Sequence, residues 1–258
     1  MSRVFSLRGI GGVLIFLLLW EMAIRSGMFR FEYLPPPSAI AMAFGKLVTT
    51  AAVFEEIAHT ICAALIAWAI AATIGVVFGG ALGLSPVLRA YTMTSVEVLR
   101  ALPPVALIPV ALLLFGFSIQ TELVVIAVPG IWPVLIGTMG GVMAVPTRLR
   151  DVAESMRFGQ AEVFCKILIP GAAPSVLVGC RLSMTISLVL AIVVEMIGNP
   201  QGLGYAVVRE AMALNRETMF AYVFLIGLLG VFFNGALVAA SKMLLPGEFG
   251  RPNAVVRT

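Results

Sequence analysis

The side chains able to do chemistry are few in this sequence, and one stretch between two apolar runs gathers seven of the 30 charged ones. Residues Pro146 to Pro174 read PTRLRDVAESMRFGQAEVFCKILIPGAAP. They bring together Arg148, Arg150, Arg157 and Lys166 with Asp151, Glu154 and Glu162, around a central Gly159. Elsewhere the charged groups are spread along the chain in ones and twos. His59 is the only histidine, and Cys62, Cys165 and Cys180 have neither paired nor metal-ligand spacing. The cysteines are expected to act as small apolar fillers. His59 is expected at a membrane interface, and one histidine among scattered acids is expected to form no metal or catalytic site. A phosphate-binding loop needs G-x-x-x-x-G-K-[ST]. The only Gly-Lys pair, Gly45-Lys46, is followed by Leu47, and Ile40 occupies the first glycine position. Any ATP hydrolysis must therefore come from another chain.

The elements that hold these groups are set by composition. Of 258 residues, 60% are hydrophobic and 12% charged, which excludes an ordinary soluble domain. The apolar runs are continuous, so helices rather than a β-barrel are expected. About six spans fit at roughly 20 residues each: Gly9 to Met28, Ile57 to Leu84, Val98 to Phe117, Thr121 to Ala144, Val176 to Ile197 and Thr218 to Ser241. The basic N-terminus has no small-residue cleavage site after its apolar core, so it reads as an uncleaved first span. With the N-terminus inside, 12 of the 17 Lys and Arg residues fall on one side of the membrane. Both termini and the 146–174 segment are then cytoplasmic. The net charge of +4 comes without a basic-aromatic stripe, so no nucleic-acid partner is expected. The lipid bilayer is the expected surroundings.

Two spans should be irregular. Pro103, Pro104 and Pro109 lie in the third, and Pro129 and Pro133 in the fourth. Each interior proline removes a backbone hydrogen bond and bends its helix, and the freed carbonyls need partners or a wet cavity. Packing kinks and a translocation cavity both fit. Gly75, Gly79, Gly80 and Gly83 are spaced for close helix contact. Glu21 and Arg25 share a helical face and are expected to pair. Ser38, after the Pro35-Pro36-Pro37 run, is expected to cap a short helix through Val48. Glu195, near the outer end of the fifth span, is a candidate gating or pore-lining acid.

Within the polar segment, Thr147 to Phe158 reads as a helix with Leu149, Val152 and Met156 on one face. Gly159 is expected to supply a left-handed elbow. Gln160 to Ile169 resumes the pattern with Val163, Phe164, Ile167 and Leu168, and Pro170 is expected to stop it. Such a pair of amphipathic helices suits a groove on another protein or the lipid headgroup layer.

The pattern Ala153-Glu154-Ser155, Gly159, Ile167-Leu168-Ile169-Pro170 resembles the EAA loop of binding-protein-dependent ABC transporter permeases, written E-A-A, three residues, G, then I-x-L-P. Gly159, Ile167 and Pro170 fall in register, while Ala153 takes the glutamate place and Ile169 the leucine place. Leu34 to Ala39, Arg100 to Pro109, and Glu195 to Gly198 followed by Gly202 to Tyr205 resemble the branch importing nitrate, sulfonates and taurine. The resemblance implies one all-α permease domain over 1–258 with a MetI-like permease fold, and a cytoplasmic coupling loop at 146–174. It implies alternating access by two copies, as a homodimer in a bacterial inner membrane. It also implies a solute-binding protein outside and separate ABC ATPase subunits that carry ATP-Mg, with no cofactor on this chain. The ATPase-coupling set is then Leu149, Val152, Ala153, Glu154, Met156, Gly159, Phe164, Ile167 and Pro170. The pathway set is Pro103, Pro104, Pro109, Pro129, Pro133 and Glu195. The rivals are an ion-gradient-driven secondary transporter, which predicts inverted repeats and a midplane ion site, and an integral membrane enzyme.

Overall fold

The computed structural model describes residues 7–26, 33–146, 148–149, 153 and 155–244. These form helices α1 (Leu7–Arg25), α2 (Pro37–Leu47), α3 (Ala51–Leu84), α4 (Pro86–Arg100), α5 (Leu107–Phe115) and α6 (Ile119–Ala144). After the polar segment come α7 (Gln160–Val163), a π-helical turn at Phe164–Leu168, α8 (Ile169–Gly198), α9 (Gly202–Met212) and α10 (Arg216–Leu244). Four helices among the described residues are long and apolar enough to cross a membrane, and α4 with α5 adds a fifth if that bent pair is one span. α1 is apolar nearly all round, with Val13, Leu14, Phe16 and Leu18 exposed, and its 19 residues reach roughly 28 Å.

α6 lies between α3 and α8 and packs along both. Small residues let the backbones approach this closely. A Cβ placed on Gly75 of α3 would come within 2.6 Å of Val134 Cβ, and one on Gly83 within 2.8 Å of Val142 Cβ. On the other seam, a Cβ on Gly179 of α8 would meet the Pro133 carbonyl oxygen at 2.7 Å, and one on Gly137 of α6 the Ser175 carbonyl oxygen at 2.8 Å. The expected glycine stripe on α3 serves this contact at Gly75, Gly79 and Gly83, whereas a Cβ on Gly80 would meet nothing within 4 Å. Ala64, Ala67 and Ala71 of α3 join Val125 and Ile126 of α6 and Leu190, Ala191 and Val194 of α8 in the central core. A second core joins the short helices to the bundle end, through Leu47, Val53, Leu203, Ala206, Ala221 and Tyr222.

Three expectations about boundaries need correction. The third span does not run on from Val98. α4 ends at Arg100, and the chain turns through 78° before α5. The cause is local: Pro103 follows Leu102 and precedes Pro104, and it holds φ −63 and ψ 122. A residue before proline is driven to this extended shape. The fifth span does not start at Val176, because α8 begins at Ile169 and passes through Pro170 and Pro174. Pro170 therefore does not stop the helix. The wider π turn just before it suits a residue without an N–H donor. Ser38 does not cap α2. The carboxylate of Glu21 does so, accepting from the Ser38 N–H at 3.0 Å and the Ser38 hydroxyl at 2.7 Å. The expected Glu21–Arg25 ion pair forms within α1, and the bonds of both residues to Ser38 tie α1 to α2.

Candidate functional site

In the polar segment, Arg148, Leu149, Ala153 and Ser155 are helical, and the helix closes before Phe158. The Phe158 N–H donates to the Ala153 carbonyl at 2.9 Å, with Arg157 at φ 59. This is a Schellman ending in which arginine, not Gly159, takes the left-handed position. Gly159 instead begins α7. Its carbonyl accepts from the Val163 N–H at 3.0 Å, and its N–H donates to Glu162 Oε2 at 3.2 Å, a capping-box arrangement. A Cβ on Gly159 would meet nothing within 4 Å, so nothing among the described residues requires glycine there. Lys166 Nζ donates to Glu162 Oε1 at 2.8 Å. That bond and the Gly159 N–H hold the Glu162 carboxyl below its usual range.

The expected coupling residues divide by exposure. Leu149 and Met156 are 48% and 62% exposed, while Ala153 is buried. Ile167 is half-buried and Pro170 exposed. Val152 and Glu154, and the Phe164 side chain, lie outside the described residues. Among the described residues, Leu149 and Met156 are thus two large apolar side chains left partly exposed.

The prolines fall into two groups. Pro104, Pro129 and Pro133 line an open cavity of about 500 Å³ with Arg100, Trp132, Ile136, Thr185, Ile186, Val189 and Leu190. Pro103 belongs to the break after α4 and Pro109 to the first turn of α5. The cavity walls come from α6, α8 and the α4–α5 bend. Arg100 at its rim pairs with Glu97 at 2.7 Å.

The acids expected to be scattered converge. His59 of α3, Glu122 of α6 and Glu195 of α8 meet at one end of the bundle, with a nitrogen or oxygen of each within 4.8 Å of the others. His59 Nε2 lies 3.1 Å from both Glu122 carboxylate oxygens. Asn199, just past α8, donates to Glu122 Oε1. Glu195 Oε2 accepts from the Thr60 hydroxyl at 3.0 Å and the Gly204 N–H at 2.8 Å. Thr60 also accepts the Leu203 N–H at 3.0 Å. Glu195 and Thr60 together therefore cap the N-terminus of α9, where the helix dipole favours an anion. Gly202 must be glycine: its φ is +85, and a Cβ would strike the Glu195 carboxylate. Glu195 does not face the cavity that Pro129 and Pro133 line. Glu122 escaped notice in the sequence. The available signal was topological: antiparallel neighbours put the start of α3, the start of α6 and the end of α8 at one end.

A second polar lock sits beside it. Tyr222 donates its hydroxyl hydrogen to Glu56 Oε2 at 2.6 Å, and Arg209 pairs with Glu56 Oε1 at 2.9 Å and with Glu210 at 3.1 Å. Burial of Arg209 opposes its charge, but these acceptors outweigh it and raise its pKa. The lock joins α3, α9 and α10.

The helix arrangement is that of ABC importer membrane subunits. It superposes on a chain of the MetNI methionine ABC transporter in an inward-facing conformation with TM-score 0.64, at 17% identity, covering 76% of this chain and 95% of that one. It also matches an amino acid ABC transporter crystallised with histidines, with TM-score 0.61 at 16% identity over 78% of this chain and 95% of that one. Residues 71–244 match the binding-protein-dependent transport system inner membrane component family, and the chain belongs to that family. Relatives include the taurine transport system permease protein TauC of Escherichia coli, 25% identical over 95% of this chain and 91% of its own. The nitrate import permease protein NrtB of Leptolyngbya laminosa is 24% identical over 78% of this chain and 72% of its own. The bicarbonate transport system permease protein CmpB of Synechocystis is 25% identical over 92% and 88%.

Proposed function

We propose that this permease imports a small oxyanion or sulfonate, driven by ATP hydrolysed on a separate cytoplasmic subunit. The observation that carries the solute class is the cavity of about 500 Å³ beside the α4–α5 bend, whose charged lining residue is Arg100. Arg100 holds Glu97 through Nη2, and a guanidinium has further donors to offer a planar or tetrahedral oxyanion; Thr185, Trp132 and the prolines complete the wall. Relatives named for taurine, nitrate and bicarbonate transport support the same class.

In this reading α1 is a further span, giving six crossings with both termini in the cytoplasm of a bacterium. Two copies pair to enclose one path, and a solute-binding protein delivers the solute to the side bearing α2 and α9. Leu149 and Met156 seat in a cleft of the ATPase subunit, which holds ATP-Mg. ATP binding draws the two segments together and turns the path outward. The cleft must prefer one permease state, because a partner shifts an equilibrium only by its differential affinity. The secondary-transport alternative would place its acids at the midplane, whereas Glu122 and Glu195 lie at helix ends.

The test is uptake in proteoliposomes holding the permease, its ATPase and its binding protein, with taurine, an alkanesulfonate, nitrate and bicarbonate offered in turn. Uptake of one of these only with ATP and all partners is expected, with Leu149→Asp/Met156→Asp abolishing it. Accumulation by the permease alone would refute the reading. Uptake of cations or sugars would refute the solute class.

A further inference from the structure

We propose that His59, Glu122 and Glu195 form a divalent-metal site of the zinc class that clips the ends of α3, α6 and α8 together. The inference is independent of the solute reading above. Its first support is composition. One imidazole nitrogen and two carboxylates, one from each of three helices, are brought within 4.8 Å of one another. Imidazole with carboxylate suits zinc, manganese or iron rather than magnesium or calcium, which take oxygen ligands. Ligands about 2.0–2.2 Å from a shared ion lie some 3.3 Å apart in a tetrahedral site, close to the 3.1 Å between His59 Nε2 and Glu122.

The second support is charge. Glu122 is fully buried and Glu195 is 1% exposed. Among the described residues their hydrogen-bond partners are the His59 ring, Asn199, the Thr60 hydroxyl and the Gly204 N–H, with no lysine or arginine. The nearby Arg209 is committed to Glu56 and Glu210. Buried carboxylates need pairing, protons or a metal, and one divalent ion neutralises two. The third support is an open valence. Glu195 Oε2 is engaged in capping α9, but its Oε1 is buried without a hydrogen-bond partner. Asn199 borders the site: its amide nitrogen donates to Glu122 Oε1 and lies 3.3 Å from His59 Nε2. The His59 side chain is 20% exposed, which leaves a way in.

Such an ion would fix the geometry of one bundle end, including the Asn199 link into α9. The experiment uses the purified full chain in detergent, stripped with a chelator and titrated with Co(II) and then Zn(II). One Co(II) per chain with visible ligand-field absorption, displaced by Zn(II), is expected, together with a higher unfolding temperature. Glu122→Gln and His59→Asn should each weaken Co(II) binding by about 10-fold or more, while eluting as folded monodisperse protein. Glu195→Gln also touches the α9 cap, so the other two variants decide the matter if it fails to fold. No stoichiometric Co(II) uptake by the unaltered chain would overturn the site. Undiminished binding in both Glu122→Gln and His59→Asn would do so too. Stabilisation by acid without any metal uptake would mean that the carboxylates share protons instead, and would also overturn it.

Discussion

The seam between α6 and α8 can be tested with a matched pair of glycines. Gly179→Ala places a methyl 2.7 Å from the Pro133 carbonyl oxygen and 3.0 Å from Val134 Cα. Both are backbone atoms, so no side-chain rotation relieves the contact. The helices must part by several tenths of an ångström to reach ordinary contact, along a seam that Gly137 and Gly141 also keep close. Overpacking of this kind costs about 1–3 kcal/mol. Gly140→Ala, on α6, meets nothing within 4 Å. Both substitutions gain the same helix propensity, about 1 kcal/mol, so their difference isolates packing. We expect Gly179→Ala to be less stable than Gly140→Ala by about 2 kcal/mol, roughly a 30-fold change in the unfolding equilibrium. SDS titration in mixed micelles, followed by near-UV circular dichroism, reads that gap. Equal midpoints for the two variants would refute the close seam.

Other outcomes follow from individual contacts. Tyr222→Phe removes the donor to Glu56 while leaving Arg209 in place, and should cost about 1.5 kcal/mol in the same titration; no change would mean that the lock is not formed. Arg157→Gly relieves a left-handed arginine worth about 1 kcal/mol, and should slow hydrogen exchange at the Phe158 amide; faster exchange would count against the Schellman turn. Glu162 should titrate below the ordinary glutamate range in a carboxyl NMR experiment. Because its folded pKa is lowered, the cap it gives Gly159 is complete above the ordinary value and is lost as pH falls through the lowered one. A midpoint at or above the ordinary value would contradict that assignment.

Much of the bundle was legible because lipid imposes one rule: apolar runs become helices. The glycine stripe at Gly75, Gly79 and Gly83 and the Glu21–Arg25 pair also followed from helical spacing alone. Proline effects were harder to place, because each depends on what precedes it. Pro103 and Pro104 act together to end α4, whereas Pro170 is absorbed by a π turn, and single-residue rules do not separate these cases. The left-handed position went to Arg157 because the Schellman bond from Phe158 to Ala153 sets the turn two residues before the glycine. His59, Glu122 and Glu195 are separated by 63 and 73 residues in sequence. Only helix order and register bring them together, and no local pattern announces that. Glu195 stands out in sequence as an acid in a membrane span, but its contact with the start of α9 through the Gly204 N–H has no local sequence signal.

The central claim is that the 146–174 segment is a cytoplasmic surface covered by a separate ATPase subunit. Met156→Cys, in a chain whose Cys62, Cys165 and Cys180 are replaced by alanine, reports on both parts of it. A membrane-impermeant maleimide should label position 156 in inverted membrane vesicles but not in right-side-out spheroplasts, and co-assembly with the ATPase should block the labelling. Labelling from the outside, or labelling that the ATPase leaves unchanged, would contradict the account.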